Sequence, residues 1–359
     1  MPEFLSANNN ERWINLVQEG NLAGLRSIRR ILAKYTANQN TVRMDELIAL
    51  CEENMSARLP LSSSYFSRWI NMMATALMKG DSSRVVNLLS YAHWFYALVV
   101  EGAKVSTIPT LTIATRLKED AELKREDVLD AQRETRLLKT FSLGASHNLW
   151  LEDYVSELNQ RDPIPPYPKD IIGIVPYDDE TAQALNMALE VIENSSDAFY
   201  DDCLTFLKEI VVVDCKYTAN FTDKAFFGVI FLSANFAALN DANLTAERII
   251  HEVGHIKLNA IILSDRLHLA PVDTMLKSPL RRDPRPVDGV LHAVYTFARI
   301  SKFWASLTPH NDQRYKTVRA IVNQYMDQLS TVDHYFTDAG RRLMDEIRGY
   351  STTPRTEGL

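Results

Sequence analysis

The stretch Ile249-Ile250-His251-Glu252-Val253-Gly254-His255-Ile256-Lys257-Leu258 decides how this chain is read. Two histidines four positions apart on a helix stand on one face, one turn apart. That separation suits two imidazoles meeting one metal ion. The glutamate after the first histidine points to the side of the pair, within reach of a metal-bound water. This is the signature of metal-dependent hydrolases, and it carries weight only on a helix. The local sequence supplies one: Asn243 or Thr245 is placed to cap its start, and Ile249, Ile250, Val253 and Ile256 give it an apolar side. Upstream, Phe226–Leu232 reads as a strand, which a zincin-like cleft would set beside the motif helix. Its edge is expected to pair with an extended peptide.

A catalytic metal site usually has three protein ligands and an open position. The metzincin extension fails, because Ile256-Lys257-Leu258 follow His255 without a Gly and His at the required spacing. Between Asn259 and Lys302 there is no Glu, so a gluzincin-type ligand is not evident either. The candidates are His268, Asp283, Asp288 and His292. His292 is preferred because it lies at the start of the apolar helix Val290–Ile300, which can pack antiparallel to the motif helix.

Working outward, the rest of the chain from His292 to Ile347 is mainly helical in pattern. Before the motif, Ile171–Val175 and Ile210–Val213 read as strands, and Glu180–Ile192, with Asp178 as cap, and Ala198–Lys208 as helices. Asp162-Pro163-Ile164-Pro165-Pro166-Tyr167-Pro168 cannot continue a helix or a central strand and marks a boundary. Ahead of it lie helices at Leu22–Tyr35, Met44–Met55, Ser64–Met78 and Ser83–Val100, with Gly80-Asp81-Ser82 as a break and cap. Lys118 to Arg136 is a charged run that reads as a solvated helix face. The expected fold is α+β and predominantly helical. A helical region 1–162 supports the catalytic part or recognises substrate. A zincin-like catalytic domain 163–359 carries a small sheet and the motif helix.

The composition sets limits. The chain has 359 residues, 46% hydrophobic and 24% charged, in the range of globular proteins. A net charge of -7 argues against a general nucleic-acid binder. Cys51, Cys203 and Cys215 are odd in number and form no C-x-x-C pair, so a disulfide framework or thiolate zinc site is not expected, and a reducing cytoplasm fits. The first residues lack the pattern of a secretory signal. Val85 to Val100 is too short to span a bilayer and contains Ser90 and His93, so no membrane partner is expected.

Three stretches together resemble the HExxH-motif domain of bacterial enzymes that modify ribosomally made precursor peptides, the 2-oxoglutarate-dependent peptide β-hydroxylases. These are His251–Leu258, Ser278-Pro279-Leu280-Arg281-Arg282-Asp283-Pro284-Arg285-Pro286, and Gly289-Val290-Leu291-His292-Ala293-Val294-Tyr295-Thr296-Phe297. Gly228-Val229-Ile230-Phe231-Leu232-Ser233 looks alike too, whereas Leu280 departs from the aromatic common there. The resemblance is strongest from Leu244 to Trp304 and does not reach residues 1–160. It implies Fe(II) rather than zinc, 2-oxoglutarate as cosubstrate, and dioxygen and a precursor peptide as partners. Three facial ligands leave three positions on an octahedral iron, two for the keto acid and one for dioxygen. The remote carboxylate of 2-oxoglutarate then needs a cation, and Arg281 and Arg285 lie on a proline-stiffened segment between the two histidine helices, with Arg282 a bystander. A carboxylate from Asp283 or Asp288 would restore the usual two-histidine, one-carboxylate triad. Glu252 would be general base in a hydrolase or orient a ligand or water in an oxygenase. The rival readings are a zinc metallopeptidase and a binding protein on an inactive metal fold.

Overall fold

In the computed structural model the described residues are 10–32, 39–53, 64–82, 84–85, 88, 171–175, 179–207, 209–215, 220–234, 241–307 and 311–352. The boundary segment 162–168, the charged run 118–136, most of 83–100 and Asp178 lie outside them. The described chain is mostly helical with a small mixed sheet, an α+β fold. It groups into two compact units. None of its described helices is long and apolar enough to cross a membrane.

One unit holds most of α1 (Asn10–Leu32), α2 (Gln39–Glu53), α3 (Ser64–Lys79) and the four-stranded sheet. Its helical core follows the three- and four-residue spacing of the sequence: Leu22, Leu25, Ile28 and Leu32, then Met44, Leu47 and Cys51, then Phe66, Trp69, Met73 and Ala76. The helix α3 ends where expected, at Gly80 with φ 67°, and Asp81 Oδ1 accepts from the Arg84 N–H at 3.0 Å.

The sheet order is β1 (Ile171–Ile174), β2 (Glu209–Cys215), β4 (Val229–Ser233), β3 (Asn220–Thr222). Here the expected open edge is corrected. β4 is interior, parallel to β2 and antiparallel to β3, with Phe221 and Phe231 stacked across the latter pair at 4.5 Å. Its uninterrupted apolar run, Val229-Ile230-Phe231-Leu232, is buried throughout, the pattern of a strand covered on both faces. The outer strands among those described are β1 and β3.

The other unit comprises α4 (Asp179–Ser195), α5 (Asp197–Phe206), the motif helix α6 (Ala242–Ser264), the short pair β5 (Met275–Leu276) and β6 (Arg285–Pro286), α7 (Val287–Ser306), α8 (Asp312–Ser330) and α9 (Asp338–Thr352). The cap of α6 is Asp241, not Asn243 or Thr245: its carboxylate accepts from the N–H groups of Asn243 and Leu244. The helix starts a few residues earlier because this carboxylate satisfies two donors of its first turn. α6 is also apolar on more than one side: Ala246, Ile249, Ile250, Val253, Ile256, Leu258, Ala260 and Ile261 are all buried. A helix covered all round is an interior helix. It packs against α5 and α7.

The segment after α6 is pinned to the start of α9. Leu267 O accepts from Thr337 N–H at 3.0 Å, His268 bridges Phe336, and a Cβ on Gly340 would overlap the Leu267 carbonyl. That contact requires glycine at 340 and holds the loop carrying His268 in place.

Candidate functional site

His251 and His255 lie on α6, and His292 lies on the second turn of α7. His255 stands between the other two. Its Nε2 is 3.2 Å from His251 Nε2, and its Nδ1 is 3.0 Å from His292 Nδ1. Two nitrogens bound at about 2.1 Å to one ion sit roughly 3.0–3.4 Å apart, so both pairwise spacings suit shared ligands. His255 uses a different nitrogen toward each neighbour, however. As the side chains stand, no group of three or more His, Cys, Asp or Glu among the described residues is arranged to hold a metal ion. The donor chemistry nonetheless fits one. Burial lowers His251 from 6.5 to about 4, with Glu247 opposing and His292 adding. Burial also pushes His255 well below 6.5, reinforced by His251, His292 and Arg285. Both imidazoles are therefore neutral, the form that ligates a cation.

Two of the other third-ligand candidates, His268 and Asp288, are engaged with each other. His268 Nε2 and Asp288 Oδ1 are 2.7 Å apart, and His268 Nδ1 accepts from the Ala270 N–H at 3.2 Å. That backbone donor leaves the proton on Nε2, facing Asp288. His268 holds Asp288 below the usual carboxylate range. Asp283 is exposed.

Glu252 is 3% exposed, and its buried Oε2 has no hydrogen-bond partner among the described residues. Burial alone raises its carboxyl from 4.5 to about 8. One turn before His251, Glu247 is engaged differently. It accepts from Trp304 Nε1 at 2.5 Å and Arg314 Nε at 2.9 Å, and its other oxygen meets Arg314 Nη2. This clamp ties α6, α7 and α8 together beside the histidines.

Of the arginines in the connecting segment, Arg281 and Arg282 are exposed and Arg285 is half-buried. The Arg285 guanidinium lies against Gly289, where a Cβ would stand 3.1 Å from Nε and 3.3 Å from Cζ. Burial and the charge of Arg281 lower its pKa, with the Tyr325 phenol opposing. Tyr325 also meets Ser278, hydroxyl to hydroxyl, at 3.1 Å. Its ring stacks on Phe297 at 6.2 Å, and Phe297 stands edge-on to His251 at 5.6 Å.

On another side of α6 and α7, Asp202 of α5 sits between Lys257 Nζ at 2.9 Å and Arg299 Nη1 at 2.6 Å, all three at most 1% exposed. Gly254 faces this cluster: a Cβ there would stand 3.1 Å from Arg299 Cδ and 3.2 Å from Thr296 Cγ2. The glycine inside the motif is thus explained by packing against Arg299.

Sequence reasoning passed over Glu247, Tyr325, Asp202 and Arg299. Glu247 had a signal, its four-residue spacing to His251. Tyr325 had none, being 47 residues from Ser278. No protein-family model matches the chain, and no curated protein matches it significantly.

Proposed function

We propose that this chain is an Fe(II)- and 2-oxoglutarate-dependent oxygenase that hydroxylates a side-chain β-carbon of a ribosomally made precursor peptide, on a zincin-like catalytic domain. The observation that carries the reading is the meeting of the neutral His251 and His255 on α6 with His292 on α7, beside a half-buried arginine close enough to His255 to lower its pKa. His251, His255 and His292 would hold the iron, and Arg285 the remote carboxylate of the keto acid. Arg285 is favoured over Arg281 because a partly desolvated guanidinium binds a carboxylate more strongly than an exposed one. When bound, iron, 2-oxoglutarate and dioxygen supply the oxidation: the peptide C–H becomes C–OH while the keto acid loses carbon dioxide and becomes succinate.

The chain's own residues set the conditions. Burial keeps the imidazole lone pairs available. Burial also holds a proton on Glu252 at neutral pH, which suits an orienting group better than the general base of a zinc peptidase. The test is mass spectrometry of candidate precursor peptides incubated with the iron-loaded protein, 2-oxoglutarate and air. One added oxygen on an intact peptide, with succinate formed, is the expected result. Peptide cleavage with zinc and without keto acid would overturn it in favour of the peptidase.

A further inference from the structure

We propose that Glu247 is a positioning residue for the metal helix: its charge, fixed one turn before His251, offsets part of the positive charge of an ion held by the histidines. The inference rests on the metal-site part of the function proposed above, and not on which ion or which reaction that site serves.

Both histidine helices bring a carboxylate to the same relative place. Glu247 stands four residues before His251 on α6, and Asp288 four residues before His292 on α7. That spacing puts each pair of side chains on one helical face, about 5–6 Å apart at Cβ. Each carboxylate is held from another element. Trp304 Nε1 and Arg314 Nε donate to Glu247 Oε2 at 2.5 and 2.9 Å, and Arg314 Nη2 donates to Oε1. His268 Nε2 is 2.7 Å from Asp288 Oδ1. The two differ in exposure: the side chain is 9% exposed at Glu247 and 68% at Asp288. Solvent therefore screens the second charge and much less the first.

A charge of this sign has a use here. A divalent ion would be the largest local charge in the site. Glu252, inside the motif, is kept protonated by burial, and Arg285 adds a positive charge close to His255. The motif itself thus brings no ionised carboxylate to the ion. Glu247 acts on His251 in the sense that favours positive charge there, and His292 opposes it. Arg314 neutralises Glu247 incompletely, because its own side chain is 38% exposed and partly solvated. Glutamine at 247 would fill the same space and still accept from Trp304. What it would lack is the charge.

Co(II) binding to the metal-free full-length chain, followed by visible absorption, tests this apart from any reaction. Glu247→Gln should bind Co(II) about 10-fold more weakly with an unchanged spectrum, since the ligands stay the same. Glu247→Asp keeps the charge and should recover most of the affinity. Arg314→Gln removes the opposing charge and should bind at least as tightly as wild type. A clamp that only held the helices would make Glu247→Gln and Arg314→Gln weaken binding alike. Asp288→Asn should weaken binding less than Glu247→Gln does. Each variant's fold is checked by circular dichroism. Unchanged affinity in Glu247→Gln, equal losses in Glu247→Gln and Arg314→Gln, or a larger loss in Asp288→Asn overturns the inference. An altered spectrum in Glu247→Gln would make Glu247 a ligand and overturn its outer position. If Glu247→Gln does not fold, Arg314→Gln decides: equal or tighter binding supports the charge role, and weaker binding overturns it. No Co(II) binding by folded wild type overturns the metal site and this inference together. Binding that depends on Glu247, with no peptide hydroxylated, leaves the inference standing and removes the oxygenase reading.

Discussion

The helices α6 and α7 carry two buried polar clusters that differ in whether an ionised carboxylate stands among their cations. Around Asp202, one carboxylate lies between Lys257 and Arg299, inaccessible to solvent. Phe199, 5.2 Å from the Arg299 guanidinium carbon, adds a cation–π contact. Around His255 stand the neutral imidazoles of His251 and His255, the ring of His292, a protonated Glu252 with no hydrogen bond on Oε2 among the described residues, and the Arg285 guanidinium with another cation, Arg281, as its neighbour. A buried carboxylate shared by two cations ties together the helices that carry them. Burial without an ionised carboxylate costs stability, and clusters of this kind are common at binding sites.

Asp202 is the residue on which the first cluster depends most. Asp202→Asn leaves two cations facing each other in the interior, and urea unfolding should show a loss of about 3–5 kcal/mol. A loss under 1 kcal/mol would mean that Asp202 does not hold Lys257 and Arg299 together in the folded chain. At the other cluster, truncation should act on ligands rather than on the fold. His251→Ala and His255→Ala should abolish tight iron binding while the metal-free variants unfold at or near the wild-type midpoint.

Acid should sharpen the contrast. His251 is held at about 4 in the folded chain against 6.5, so the unfolded chain takes up its proton first. That contribution to stability is present above pH 6.5 and is lost as pH falls toward 4. Glu252 has the opposite sign: raised from 4.5 to about 8, it favours the folded chain at low pH and loses this as pH rises through about 8. The two oppose each other between pH 7 and 5. In Glu252→Gln the opposition is removed, and the metal-free protein should lose about 2 kcal/mol more than wild type on acidification over that range, read by thermal unfolding. An unchanged slope would place Glu252 in contact with solvent.

Gly254 links the two clusters, lying between the histidines in sequence and against Arg299 in space. Gly254→Ala should cost about 1–2 kcal/mol by pressing on Arg299 Cδ and Thr296 Cγ2, after the ~1 kcal/mol gained in helix propensity is counted. It should also weaken iron binding through the displaced helix. Smallest of all, Arg29→Ala removes an exposed pair with Asp45 and should change stability by about 0.5 kcal/mol or less.

By itself the sequence determined the local elements and the residues that meet at short range along one element. Periodicity placed α3 at Ser64, the strands β1, β2 and β4 within a few residues, and His251 and His255 on one helical face. These depend on neighbours three or four apart, whose positions the helix fixes. Cap choice was already less secure, since Asp241, Asn243 and Thr245 are all competent and only the backbone path selects Asp241. Tertiary structure decided the rest. It made β4 an interior strand, paired His268 with Asp288, enclosed Lys257 with Asp202, and brought Tyr325 and Ser278 together. Apart from β3, which reaches β4 through the short connection Asp223–Gly228, none of these partners is within a helical turn or a hairpin of the other. Their meeting depends on how whole helices and strands pack, and burial then fixes which charges are matched and which are left for a ligand.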